Sequence, residues 1–235
     1  EGVDVSGQLV YEDQPTPLAI CLADEVGEHI FLGGGADLRL RNGRFPQQWR
    51  DSIRTADGLL IYGWNYRLMG AQGNLEAMAA AEAANIPIFF DPGPEIHLMS
   101  QAWLERVLQA DVVLLTYEEA QLIIQESLEP EAMAERIRQM GAKLVVLKLG
   151  AQGMIGHTAN ETIYEPGLAV EVVDLTGAGD SVAAAVVLGY LEKQPLSKLL
   201  RLANATGAAC VQKFGAGINV PTWEEITAVL EKVAQ

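Results

Sequence analysis

Residues 174–180 read Asp-Leu-Thr-Gly-Ala-Gly-Asp and run straight into an Ala/Val-rich stretch, SVAAAVVLGYLE. Two glycines around one alanine reach backbone angles closed to other residues, so main-chain N–H groups can crowd against a ligand. Where such a turn opens a helix, those amides and the positive end of the helix dipole make an anion site. Asp180 stands in the first helical turn, where its carboxylate can accept a proton from a hydroxyl held against that site. A general base beside an anion hole is the machinery that transfers a phosphoryl group to an alcohol. The spacing also has a plain structural meaning, since Gly-x-Gly makes turns and Asp favours helix starts. A dinucleotide-binding turn fits less well, because the third glycine is missing. No Gly-Lys-Ser/Thr occurs, which excludes a Walker A loop.

The elements that must position these residues show in the hydrophobic pattern. GLLIY (58–62), IPIFF (86–90), DVVLL (111–115) and KLVVLKL (143–149) are short, apolar nearly throughout and predict buried strands. GNLEAMAAAEAAN, QAWLERVLQA, TYEEAQLIIQ and PEAMAERIRQMG lie between them and predict helices. Thr116 and Glu119 have the spacing of a capping box, and Pro130 opens a helix that Gly141 closes. Alternating strands and helices mean βαβ units and a parallel sheet. GMIGH, ETIYE and LAVEVV follow without helices and predict an antiparallel patch at the sheet edge, the last strand ending near Val173. Helices follow from Gly179 to about Lys193, over 196–213, and over 222–233, the last with a second Thr-x-x-Glu, Thr222 to Glu225. PLAICLAD and GEHIFLG, joined through 25–27, predict a β-hairpin, which needs other strands or a partner to cover its apolar face.

Composition bounds the function. The 235 residues are 49% hydrophobic and 20% charged, ordinary for one large core with a small appendage. A net charge of −15 with no basic run repels polyanions, which argues against nucleic-acid binding. No apolar run reaches membrane-spanning length. Cys21 and Cys210 stand in unrelated contexts and make neither a metal pattern nor a disulfide framework, so a reducing, cytoplasmic location is expected.

The whole string DLTGAGDSVAAAVVLGYL resembles the C-terminal signature of the PfkB/ribokinase family of sugar kinases, Asp-Thr-Thr-Gly-Ala-Gly-Asp followed by an aromatic. Leu175 replaces the first Thr and Val182 the aromatic, and the Gly-Ala-Gly-Asp centre is intact. GVDVSG (2–7), PTPLAICLADEVGEHIFLGGGA (15–36), DPGP (91–94), TYEEA (116–120), KLGAQG (148–153) and NATGAACVQKFGAG (204–217) are similar to recurring family segments in the same order. The resemblance covers the whole chain.

It implies a ribokinase-like α/β fold, a mainly parallel central sheet with helices on both faces and a small β-sheet lid. Residues 1–38 would supply lid strands and their connection, and 39–235 the nucleotide-binding and catalytic domain. It implies ATP-dependent phosphorylation of a small sugar or related polyol. Asp180 would be the base, with Gly177, Ala178 and Gly179 supplying amides to the transferring phosphoryl group. Lys148, Gly150, Gly153, Thr176, Asn204 and Gly217 would surround the nucleotide. Glu119 would organise Mg²⁺ and its waters, and a monovalent cation such as K⁺ and a homodimer through the lid belong to the same expectation. Each residue has a structural reading beside this one: Glu119 as a helix cap, Lys148 as a strand end, Asn204 as a polar helix face, Gly150 and Gly153 as turn residues. The chain departs from the pattern at Thr116, where the family has Asn in Asn-x-x-Glu, and at DPGPE, where Asp-x-Asn-x-Arg is usual. It opens on Glu1 rather than Met, without the family's first strand and Gly-Gly-Asn segment, so further N-terminal residues or a covering second chain are expected. A nucleoside kinase, or a non-catalytic relative that binds nucleotide or sugar and acts through a partner, stays open as an alternative.

Overall fold

A computed structural model describes residues 2–13, 15–16, 18–23, 29–34 and 45–233. They form two sheets. Strands β1 (Leu18–Ala23) and β2 (His29–Gly34) pair antiparallel, Ile20 opposite Leu32 and Leu22 opposite Ile30. This is the expected hairpin, standing apart from the main sheet; Pro17, its turn at 25–27 and the boundary at 38–39 lie outside the described residues.

The main sheet has six strands in sequence order, β3 (Leu59–Tyr62), β4 (Ile88–Asp91), β5 (Val112–Thr116), β6 (Leu144–Lys148), β7 (Gly153–Thr158) and β8 (Thr162–Pro166). The first four are parallel; β7 and β8 run antiparallel. The helices are α1 (Gln47–Arg54), α2 (Trp64–Ala84), α3 (Gln101–Val107), α4 (Tyr117–Ile124), α5 (Pro130–Arg138), α6 (Ala178–Leu191), α7 (Leu196–Cys210) and α8 (Trp223–Val233). None is long and apolar enough to cross a membrane among the described residues.

The sheet is apolar on both faces because both are covered. Phe90, Val113, Leu115, Val145 and Leu147 pack with Met78, Trp103, Met133 and Ile137, that is, with α2, α3 and α5. Phe89, Val112, Leu114, Leu144 and Val146 alternate with them and pack with Val182, Val186, Leu199 and Leu200 of α6 and α7. Period-2 alternation thus disappears from the sequence of these strands, leaving continuous apolar runs. Each fully buried Leu, Val or Phe contributes about 1.5–3 kcal/mol relative to exposure.

Helix ends follow local chemistry. Thr116 Oγ1 accepts the amide of Glu119 at 3.1 Å while Glu119 Oε2 accepts that of Thr116 at 2.7 Å, a complete capping box. Thr222 and Glu225 form a second one, and Pro130 occupies the first turn of α5. α2 begins earlier than the pattern predicts and kinks at Gly70, whose φ of 74° is not helical.

One expected strand does not form. Residues 168–173 are irregular, and Val172 and Val173 stay 50% and 46% exposed. The departure starts at Gly167, where a Cβ would lie 1.9 Å from the Ala151 carbonyl oxygen, so the chain turns away against the loop before β7. The amides of Val173 and Asp174 then both donate to the carbonyl of Val211, at 2.7 and 3.2 Å, rather than to a strand. The glycine turn is therefore entered from a loop anchored on the end of α7.

Candidate active site

Tyr62, Asp91, Thr116 and Lys148 end four successive parallel strands, Tyr62 in register with Asp91 and Thr116 with Lys148. They line the carboxyl edge of the sheet, where α/β proteins bind ligands. The glycine turn meets them there. Gly177 caps α6 with φ +81°, a left-handed angle that favours glycine, and Asp180 lies in the first turn, exposed. Ala178 N donates to Leu175 O at 3.2 Å. The next two amides, of Gly179 and Asp180, have no acceptor within the helix, as at any helix start, whereas Ser181 N donates to Gly177 O at 2.9 Å.

Asp174, 4% exposed, shapes this turn. Its Oδ1 accepts the amide of Thr176 and its Oδ2 that of Gly215, both at 2.8 Å, so one buried carboxylate ties 174–180 to the loop after α7. The two cysteines also meet the turn. Cys210 Sγ donates to Thr176 O at 3.8 Å, and Cys21 Sγ of β1 lies 3.9 Å from Thr176 Oγ1, which brings the small sheet to the turn's edge.

Lys148 Nζ donates to Asp91 Oδ2 at 2.9 Å, with the two side chains 13% and 5% exposed. The same Nζ lies 3.8 Å from where a Cβ on Gly179 would be, so the ammonium stands against the glycine turn. Asp91 is held by its own loop, Oδ1 accepting the amide of Gly93 at 3.1 Å. Glu119 sits beside the pair. Burial pushes its carboxyl above the usual glutamate range, Lys148 and the Thr116 amide pull it back, and Asp91 pushes it up further. Tyr62 faces Asp180 and Asp91; burial first, then these two carboxylates, hold its hydroxyl far above the usual phenol range.

The other candidates differ in what surrounds them. Gly150 and Gly217 have φ of +58° and +68° with open space around them, as a ligand-facing glycine requires. Gly153 is explained by packing as well as by its φ of +100°, since a Cβ there would lie 2.1 Å from Glu165 O. Asn204, buried, donates to Pro166 O at 2.7 Å and ties α7 to the end of β8. The structure thus joins Lys148, Thr176, Gly177, Ala178, Gly179 and Asp180 at one place, and Gly153 and Asn204 around Pro166 at another. Tyr62, Asp91 and Asp174 belong to the first place although the spacing of motifs does not single them out. A cavity of about 310 Å³ also touches Asp180, but its walls are mainly apolar residues of α6, α8 and the loop before α8.

Among the described residues, no group of three His, Cys, Asp or Glu stands ready to cage a metal. Asp91 is committed to Lys148, and Glu119 Oε2 to the Thr116 amide. Such a donor set fits a hydrated Mg²⁺ brought in on nucleotide phosphates and reached through water, the usual habit of this ion.

These features are those of an α/β protein whose candidate site lies at the carboxyl edge of its sheet, where a glycine turn meets an acidic side chain. Comparison with known proteins narrows the class: residues 1–223 match the pfkB family of carbohydrate kinases, and the chain belongs to that family. It is 30% identical to an uncharacterized sugar kinase of Archaeoglobus fulgidus over 57% of this chain and 53% of the relative. It is 27% identical to an ATP-dependent ribose-1-phosphate kinase of Halopiger xanaduensis, over 98% of this chain and 73% of that one. A nucleoside kinase of Methanothermobacter thermautotrophicus is 26% identical over 94% of this chain and 68% of its own. The chain spans about half the length of the first of these relatives. Among solved structures, the ribokinase of Thermotoga maritima superposes with a TM-score of 0.75 at 25% identity, covering 93% of this chain and 70% of that one. The ribokinase of Arabidopsis thaliana, solved with ribose and ATP, gives 0.78 at 23%, with the same coverage, and supports the fold.

Proposed function

We propose that this chain phosphorylates a hydroxyl of a small sugar, polyol or nucleoside with ATP. The observation that carries the reading is the meeting of Asp180, the glycine turn and the Lys148 ammonium at one sheet edge. The acceptor hydroxyl gives its proton to Asp180, and its oxygen bonds the γ-phosphorus. The bond from that phosphorus to the bridging oxygen of ADP breaks. The amides of the Gly177–Ala178–Gly179 turn and Lys148 hold the charge of the transferring group. The base end of the nucleotide extends over Gly150, Gly153, Asn204 and Gly217.

Mg²⁺ would neutralise the phosphates. Glu119 would hold it through water. The outcome expected for Glu119→Gln is a higher Mg²⁺ requirement for turnover, with thermal stability little changed, because the amide oxygen still accepts the Thr116 N–H. A fall in melting temperature alone would leave Glu119 as a helix cap.

Residues 1–38 act as the lid in this reading and 39–235 as the catalytic part. The paired strands expose Leu18, Ile20, Leu22, Ile30 and Leu32, from 48% to 65%. Because cross-strand partners alternate faces together, these five share one apolar face, which a second copy's lid would cover. Light scattering on Ile20→Lys/Ile30→Lys should then show a monomer where the parent is a dimer; a monomeric parent removes the proposal.

The acceptor class is tested by a kinase assay with Mg-ATP over a panel of pentoses, hexoses, polyols and nucleosides. Phosphate ester formed from one of them supports the reading. None formed, with nucleotide still bound, favours a non-catalytic binding protein.

A further inference from the structure

Trp64 begins α2 two residues beyond Tyr62, at the carboxyl edge of the sheet, and stays 40% exposed. Packing fixes its place. A Cβ at Gly63 would lie 1.6 Å from Pro92 O, so the end of β3 is pressed against the segment that joins β4 to α3. The first turn of α2 is pinned to the same segment: Tyr66 Oη accepts the amide of Ser100 at 3.2 Å, and its ring meets Trp103 edge to face at 4.8 Å between centroids. One edge of the Trp64 indole lies along Gly93, with Nε1 3.5 Å and Cδ1 3.7 Å from where a Cβ there would be. From Gly93 the contacts continue to the base. Gly93 N donates to Asp91 Oδ1, Asp91 Oδ2 accepts from Lys148 Nζ, and that Nζ stands 3.8 Å from the Cβ position of Gly179, next to Asp180. Trp64 and Asp180 thus flank the Asp91–Lys148 pair along one edge.

We infer that Trp64 is a specificity-determining residue: its indole stacks on the flat base of a nucleoside whose sugar hydroxyl lies at Asp180. This rests on the proposed phosphoryl transfer and names its acceptor class. The indole offers a wide apolar face on a backbone held by Gly63 and Tyr66, so little ordering is needed when a ligand stacks on it. A planar base covers that face. A free sugar or polyol, hydrated at its hydroxyls, gains far less from it. Stacking on an aromatic side chain tolerates any base, so purine and pyrimidine nucleosides share the preference.

The test compares Trp64→Ala and Trp64→Phe with the parent in the full chain. Trp64→Ala should raise KM for adenosine and cytidine by about ten- to a hundredfold, the loss of one stacked base. KM for ATP, KM for free ribose and the melting temperature should stay near the parent's, and Trp64→Phe, which keeps an aromatic face, should recover most of the loss. Binding is read separately by calorimetric titration of adenosine, cytidine and ribose, with a non-hydrolysable ATP analogue saturating the nucleotide site. The parent should bind the two nucleosides more tightly than ribose, and Trp64→Ala should lose that difference. A parent that binds neither nucleoside, or binds them no better than ribose, overturns the inference, as does a nucleoside affinity equal in the parent and Trp64→Ala. If the parent phosphorylates nothing, the kinase reading fails, yet the titration still decides whether Trp64 holds a base.

Discussion

Asp180→Asn should lower phosphoryl transfer by roughly 10²–10⁴-fold, the usual contribution of a general base. Asn keeps the size of Asp and its place in the first turn of α6. It cannot take the acceptor's proton at the moment the oxygen bonds phosphorus. The loss should therefore fall on kcat, with nucleotide affinity and melting temperature near the parent's. Calorimetric titration with ATP and steady-state kinetics on the same preparation separate these. A variant that keeps the parent's kcat has its base elsewhere.

The second large effect is expected at Lys148. Its ammonium and the Asp91 carboxylate are paired at 2.9 Å with both side chains largely buried. Lys148→Met fills the space but leaves Asp91 as an uncompensated buried charge, which costs about 3–5 kcal/mol when one partner of such a pair is removed. Denaturant unfolding should show this loss. Adding Asp91→Asn should restore most of it, because the amide carries no charge and its Oδ1 still accepts the Gly93 N–H that Asp91 accepts at 3.1 Å. Activity should not return with stability. The double variant lacks the cation beside the glycine turn, and loss of one stabilising donor at a transferring group lowers kcat by about 10²–10³-fold. Single and double variants of equal stability would mean that the ion pair carries no such weight.

The parts of the fold that could be read from the sequence are those whose burial leaves a one-dimensional trace. Strands 112–116 and 144–148 are apolar at every interior position because helices cover both faces, and the capping boxes at Thr116 and Thr222 are local by nature. Residues 168–173 carry the same kind of trace, an apolar run with one Glu, yet form no strand. What decides this is the close approach of Gly167 to Ala151 and the anchoring on Val211, and neither partner is near in sequence. The site divides in the same way. The glycine turn and Asp180 are contiguous and visible as a motif. The Asp91–Lys148 pair spans 57 residues and the Asp174–Gly215 tie 41, so only the sheet register and the loop packing bring them together. Tyr62 could have been marked by one general signal, a polar group at the last residue of a buried parallel strand, which Asp91 and Lys148 share.

The central claim is that an alcohol, at Asp180, receives the γ-phosphoryl group of ATP. The most direct measurement follows γ-labelled phosphate from ATP into a panel of sugars, polyols and nucleosides with Mg²⁺ present, for the parent and for Asp180→Asn. The account predicts label in a phosphate monoester of at least one acceptor with the parent, and a roughly 10²–10⁴-fold lower rate with the variant. Label that stays in ATP, or reaches only water as inorganic phosphate, or appears in the ester equally fast in both proteins, would contradict it.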